Sequence, residues 1–130
     1  MLVYLFILFS TFLFSEDFSM QDLNETSDYY YNQYLSEVGP SYFNGEVSIV
    51  YFGHYNWGLC TSRFGQLNEI INQLTDEGYN EVKLFGVGKT THISSIGNWT
   101  DGNDCIVSGD DSPFDVWSEW GAAQRDLYLL

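Results

Sequence analysis

The sequence predicts an α/β domain built on a parallel βαβ unit. One observation is an unbroken apolar run, Val47 to Phe52, followed by a short turn of Gly, His, Asn, Trp and Gly residues. A second is the switch to helical spacing that comes next, with Phe64, Leu67, Ile70, Ile71 and Leu74 on one face. The third is Gly78, where a helix would need a C-terminal glycine, followed by a second apolar run, Val82 to Val87. Two strands joined by a crossover helix of this length lie parallel in one sheet. Cys60 falls at the junction of the first strand and the helix, where amide groups lack partners and a thiolate is most easily stabilised.

Composition bounds the function classes. A chain of 130 residues holds one domain, and 45% hydrophobic with 18% aromatic residues suffices to fill its core. Eighteen acids stand against four bases, Arg63, Lys83, Lys89 and Arg125, for a net charge of −14. Such a surface repels phosphate backbones and anionic lipid, which argues against nucleic-acid and membrane-surface partners.

Residues 1–15, MLVYLFILFSTFLFS, carry no charge and are almost wholly apolar. The run is shorter than the ~18 residues expected of a bilayer span, and it fits a secretory signal with cleavage after Ser15. The mature chain is then expected outside the cytoplasm, secreted or extracytoplasmic, without stable membrane association. Residues 16–44 form an acidic, Tyr-rich leader, with Tyr29, Tyr30, Tyr31 and Tyr34, and are expected to dock loosely on a domain spanning 45–130. Asn24-Glu25-Thr26 and Asn98-Trp99-Thr100 match the N-glycosylation pattern.

Beyond the βαβ unit the polar stretch 88–104 allows one helical turn around Ile93 and Ile96. Cys105-Ile106-Val107 reads as a short strand. Ser112 and Pro113 are placed to start a helix over Phe114 to Trp120, with Val116, Trp117 and Trp120 buried and Gly121 ending it. Asp126 to Leu130 reads as a last strand.

Taken in order, Trp57-Gly58-Leu59-Cys60, Glu77-Gly78-Tyr79, Asp115-Val116-Trp117 and the closing Arg125-to-Leu130 strand resemble the thioredoxin-like domain at the N-terminus of selenoprotein P and its microbial relatives. The resemblance covers about Gly45 to Leu130. It implies a thioredoxin-like βαβ core in a mixed sheet, C-terminally incomplete, because such a sheet continues into another antiparallel strand and a closing helix. It also implies a thiol-disulfide or peroxide-reducing role. The reacting pair would be a Cys or selenocysteine three residues before Cys60, and Cys60 itself as the resolving thiol. No cofactor is implied, and the partners would be protein or small-molecule thiols, disulfides or peroxides.

The chain departs from that pattern at the attacking position, Trp57, which has no nucleophilic atom. The family's cis-proline before the last strand is replaced by Ala122, Ala123 and Gln124. Three readings stay open: a redox protein using position 57 and Cys60, a non-catalytic thioredoxin-like binding domain, and a small domain held by a Cys60–Cys105 disulfide. Selenocysteine is encoded by UGA, a codon some translation settings read as tryptophan, so Trp57 is a candidate stand-in for it. His54 is a candidate for lowering the pKa of a nearby thiol. His54, Cys60, His92 and Cys105 lack zinc-site spacing, and Asp110, Asp111 and Asp115 lack calcium-loop spacing, so no metal is expected.

Overall fold

A computed structural model describes residues 17–31 and 37–130; the signal expected over 1–15 and Tyr34 lie outside the described residues. Four strands make one sheet: β1 (Val47–Phe52), β2 (Val82–Lys89), β3 (Ile106–Asp110) and β4 (Leu127–Leu129), in the order β3-β2-β1-β4. β1 and β2 are parallel in the register Val47 to Val82, and β2 and β3 are parallel with Phe85 opposite Ile106. β4 runs antiparallel to β1, pairing Leu127 with Tyr51. The βαβ unit and the mixed sheet expected from the sequence are both present.

The crossover helix α1 spans Gly58–Asp76. It ends at Gly78, whose φ of +95° is reached without strain only by glycine. The Gly78 amide donates to Thr75 O and the Tyr79 amide to Leu74 O, which satisfies two of the last carbonyls. Cys60, Phe64, Asn68 and Ile71 form the buried face of α1; Leu67 and Leu74 are half-buried and Ile70 is exposed. The spacing puts Ile70 on the core stripe, but it lies on that stripe's edge, over an open cleft.

Period-two alternation divides the sheet into two cores. On one face Val50, Phe52, Phe85, Val87 and Ile106 pack against Phe18, Val38, Phe43, Trp117 and Trp120. On the other, Tyr51, Leu84 and Val107 meet α1 together with Tyr55 and Trp99. Phe64 and Trp99 stack there, centroids 4.8 Å apart and rings 12° from parallel. The strand admits this aromatic layer through its glycines. A Cβ on Gly86 would lie 2.6 Å from the Phe64 ring, and one on Gly88 2.3 Å from the Tyr55 ring.

The leader corrects an expectation. Its described residues do not dock loosely: Phe18 and Val38 are core residues, and Met20 and Val38 exchange backbone hydrogen bonds. The Leu23 amide donates to Val107 O at 2.8 Å, the Val107 amide donates to Asp22 Oδ1 at 3.1 Å, and Ser108 Oγ donates to Gln21 O. The leader therefore covers the free edge of β3. Acidity masked this, because Asp22 is buried as a hydrogen-bond acceptor rather than solvated.

The polar stretch folds into a 3-10 segment, Thr90–Ser95, and a single turn, α2 (Gly97–Thr100), carrying the buried Trp99. β3 runs three residues beyond the expected Val107. The helix after it, α3, spans Asp115–Glu119 and ends at Gly121 with φ +57°. Pro113 does not open it as expected. The Ser112–Pro113 peptide is cis, and Phe114, at φ +66°, is the residue that caps the helix.

Candidate functional site

β1 delivers the chain to a turn that several side chains hold in place. Tyr55 is fully buried and its hydroxyl donates to Ser108 O at 2.6 Å, while Asn98 Nδ2 donates to Tyr55 O at 2.8 Å. The Trp57 amide donates to His54 O, which closes the turn. α1 then begins with Trp57 as its N-cap residue, and Trp57 O accepts from both the amide and the hydroxyl of Thr61. No side chain caps the first amides, so the free N–H groups of the first turn face the space beside residue 57.

Trp57 and Cys60 are thus one helical turn apart but in opposite environments. Trp57 is 51% exposed and Cys60 is fully buried. Gln124 Nε2, from the loop before β4, donates to the Cys60 sulfur at 3.5 Å. Tyr51 faces the same sulfur from β1. Its hydroxyl is buried without a hydrogen bond of ordinary geometry. Burial first, and then the neighbouring Cys60, raise the Tyr51 phenol above its usual range, while Arg63 and Arg125 pull it down.

A second group lies on the other side of the turn. The His54 ring stacks on Trp117, centroids 5.5 Å apart and 11° from parallel, and meets His92 edge-on at 5.3 Å. The Lys89 ammonium sits over the rings of Trp117, at 4.6 Å, and Phe114, at 4.9 Å. Burial, with His92 and Lys89 adding to it, lowers the His54 pKa, so the imidazole is neutral near pH 7. His54 and Trp57 are 6.4 Å apart between centroids, edge to face.

Cys105 lies away from this turn, immediately before β3. Its amide and that of Asp104 donate to Asn68 Oδ1 on α1, and Asn24 Nδ2 donates to its carbonyl. Burial, together with Asp104 and Asp22, pushes its thiol up to about 12. Cys60 and Cys105 are both unbonded, so the disulfide reading is not the state seen here. Asn24 is 1% exposed with its amide nitrogen committed, and the folded chain offers no glycan site there. Asn98 is exposed, but its amide nitrogen holds the turn.

Local sequence reading missed Tyr51, Lys89, His92 and Gln124 as neighbours of the turn. The sequence marks the Gln124 loop only as the place of the missing cis-proline, and nothing near Lys89 in the chain marks it; sheet order brings both there. Among the described residues no group of His, Cys, Asp or Glu is arranged to hold a metal ion, and no helix is long and apolar enough to cross a membrane.

No protein-family model and no curated protein sequence matches the chain. Solved structures do match. A putative thioredoxin from Neisseria meningitidis superposes with a TM-score of 0.65 at 17% identity, covering 88% of this chain and 69% of that one. The fold is thioredoxin-like. The thioredoxin domain of a thiol-disulfide oxidoreductase from Bacteroides vulgatus matches at 0.60 and 15% identity, covering 88% and 76%. A secreted disulfide oxidoreductase from Mycobacterium tuberculosis, described as homologous to DsbE, matches at 0.58 and 10%, covering 86% and 74%. The turn between β1 and α1 ends here at Trp57, and Cys60 lies in the first turn of α1. The loop before the last strand is Ala122-Ala123-Gln124-Arg125, and the cis peptide of this chain lies elsewhere, before α3.

Proposed function

We propose that this chain is an exported thioredoxin-like redox protein of the selenoprotein P N-terminal type, with position 57 and Cys60 as its reacting pair. One observation carries the reading: an exposed N-cap residue is followed, one turn into α1, by a fully buried cysteine. An attacking group must be reachable by substrate and a resolving group must be reachable only by its partner, and the two positions divide in that way. The reading requires a Cys or selenocysteine at position 57.

With such a residue the chemistry balances. The chalcogenolate at 57 attacks one sulfur of a substrate disulfide, forming a mixed bond and releasing the other sulfur as a thiolate. The Cys60 thiolate then attacks residue 57, forms the 57–60 bond and releases the second substrate thiolate. An external dithiol donor reduces the 57–60 bond and leaves as its disulfide. The first-turn amides of α1 favour the anion at 57. Its lowered pKa and its position beside residue 57 support His54 as the acceptor for a proton leaving that residue.

A second reading rests on the tryptophan as written. An exposed ring at the head of α1, beside His54, suits a binding surface and leaves Cys60 without a partner. Codon 57 and one assay separate the two. UGA with a selenocysteine-insertion element, and insulin or peroxide reduction by the Trp57→Cys protein with a thiol donor, support the redox reading. UGG together with an inert Trp57→Cys protein supports the binding domain.

A further inference from the structure

The loop between α3 and β4 carries a strained backbone. Arg125 has φ +74°, in the left-handed region that is costly for a residue with a Cβ. Such a conformation persists only where the surroundings over-determine it. Here the Arg125 amide donates to Phe52 O at 2.7 Å and the Phe52 amide to Asp126 O at 3.0 Å, while the Ala123 amide donates to Asp126 Oδ2 at 2.7 Å. The loop is thus clamped to the end of β1. The residue it presents is Gln124, whose Nε2 reaches the Cys60 sulfur at 3.5 Å.

Tyr51 meets the same sulfur from β1. Its hydroxyl is buried and finds no hydrogen-bond partner of ordinary geometry, and the Cys60 sulfur is the acceptor it faces. A neutral thiol is a weak acceptor and a thiolate a strong one. Two donors aimed at Cys60 therefore do little for the thiol and stabilise the anion. The charges close by favour the same state. Arg63 and Arg125, two of the chain's four bases, both act on the Tyr51 phenol; one acid, Asp126, lines that side as well and opposes them.

Cys60 can be an anion only when the 57–60 bond is broken, so groups that stabilise its thiolate favour the reduced pair and make the bond more oxidising. We infer that Gln124 and Tyr51 are positioning residues that hold the Cys60 sulfur as an anion and so turn the 57–60 bond into an oxidant of substrate dithiols. The direction rests on the redox reading above; the donor role rests on the geometry around Cys60. The exchange then runs in the reverse sense. A substrate thiolate attacks residue 57, the 57–60 bond breaks, and Cys60 leaves as a thiolate between its two donors. The second substrate thiolate attacks the substrate sulfur of the mixed bond and frees residue 57. The substrate departs as a disulfide and its two thiol protons pass to water. The two electrons stay on the pair until an external disulfide takes them and is itself reduced to thiols.

The test is the equilibrium of the full-length Trp57→Cys protein with reduced and oxidised glutathione, read by trapping free thiols and weighing the peptides. Tyr51→Phe keeps the ring and Gln124→Met keeps the bulk, so each removes one donor; alanine at 124 would also open a path to the sulfur. Each substitution is expected to disfavour the reduced pair by about tenfold, or about 30 mV for two electrons, and the double variant by more than either. Tyr51→Phe should leave the urea midpoint unchanged or raised, because the deleted hydroxyl is buried and unpaired, whereas loss of a merely structural hydrogen bond would lower it. An equilibrium that neither substitution moves would overturn the inference, and so would one that moves only in step with lost stability. A second measurement uses the natural chain, in which position 57 forms no bond. Tyr51→Phe should slow alkylation of Cys60 by iodoacetamide at pH 8 by about tenfold, and an equal or faster rate would overturn the donor role. A Trp57→Cys protein that never forms the 57–60 bond removes the redox reading and the direction with it, while slower alkylation in the natural chain still upholds the donors.

Discussion

Cys60 and Cys105 belong to the same core, and both are hidden from solvent, yet their surroundings differ in kind. Cys60 is held by groups with other tasks: a glutamine from a surface loop, a tyrosine on the wall of a cleft, and the first turn of a long helix. Cys105 is held by its backbone, through Asn68 and Asn24, and its side chain is packed among groups that oppose ionisation. Burial alone therefore does not separate a working thiol from a structural one. What separates them is which neighbours must move before the sulfur can react.

The largest expected effect is on turnover. In the Trp57→Cys protein, Cys60→Ser leaves a mixed disulfide that cannot be resolved, and multiple turnover in insulin reduction is lost. Cys105→Ala in the same background keeps turnover. Loss of activity on replacing Cys105 would erase the distinction between the two sulfurs.

Next in size is a stability effect on the Cys105 side only. Asn68 accepts from two buried amides, so Asn68→Ala should cost about 2–3 kcal/mol in urea unfolding. Its effect on Cys60 chemistry in the Trp57→Cys protein should be small, because Asn68 lies two helical turns along α1. Equal damage to both would mean that the two sites form one unit.

The fold is legible in the sequence because its signals are local. β1, α1 and the Gly78 stop follow from one apolar run, one periodicity and one glycine with positive φ. The position of Cys60 inside the first turn of α1 is legible for the same reason. What surrounds Cys60 is not. Tyr51 and Gln124 are far apart along the chain and meet only because β4 returns antiparallel beside β1. The leader misleads for a related reason. Its acids suggest solvation, but Asp22 acts as an acceptor for two backbone amides at a sheet edge that no local pattern announces.

A smaller effect concerns alkylation of the native protein at pH 8. With its thiol near 12, Cys105 carries a thiolate fraction on the order of 10⁻⁴ and should stay unmodified. Cys105 is the more exposed of the two, 9% against 0%, and lines a small cleft of its own. Cys60 should therefore be modified first only because the Cys105 thiol resists ionisation, and Gln124→Ala should speed it. Modification of Cys105 first, read by mass spectrometry of the labelled peptides, would reverse the comparison.

The smallest effect is on pH dependence. The folded pKa of His54 lies below 6.5, so between that value and 6.5 the unfolded chain binds more protons than the folded one. Stability from this residue is full above pH 6.5 and falls as pH drops through the window. Buried Asp22 and Asp110 act in the opposite sense, since their raised pKa values favour the folded state as they protonate. The difference between wild type and His54→Gln isolates the histidine. The variant's urea midpoint should fall less than the wild type's between pH 7.5 and 5.

The central claim is that position 57 and Cys60 form one redox pair and Cys105 stands outside it. The direct measurement is the disulfide map of the Trp57→Cys protein after mild oxidation, read from peptide masses with the fold intact. A bond between the introduced cysteine at position 57 and Cys60, with Cys105 left as a free thiol, is the predicted result. A Cys60–Cys105 bond would contradict it, and so would consumption of Cys105 while Cys60 and the introduced thiol both remain reduced.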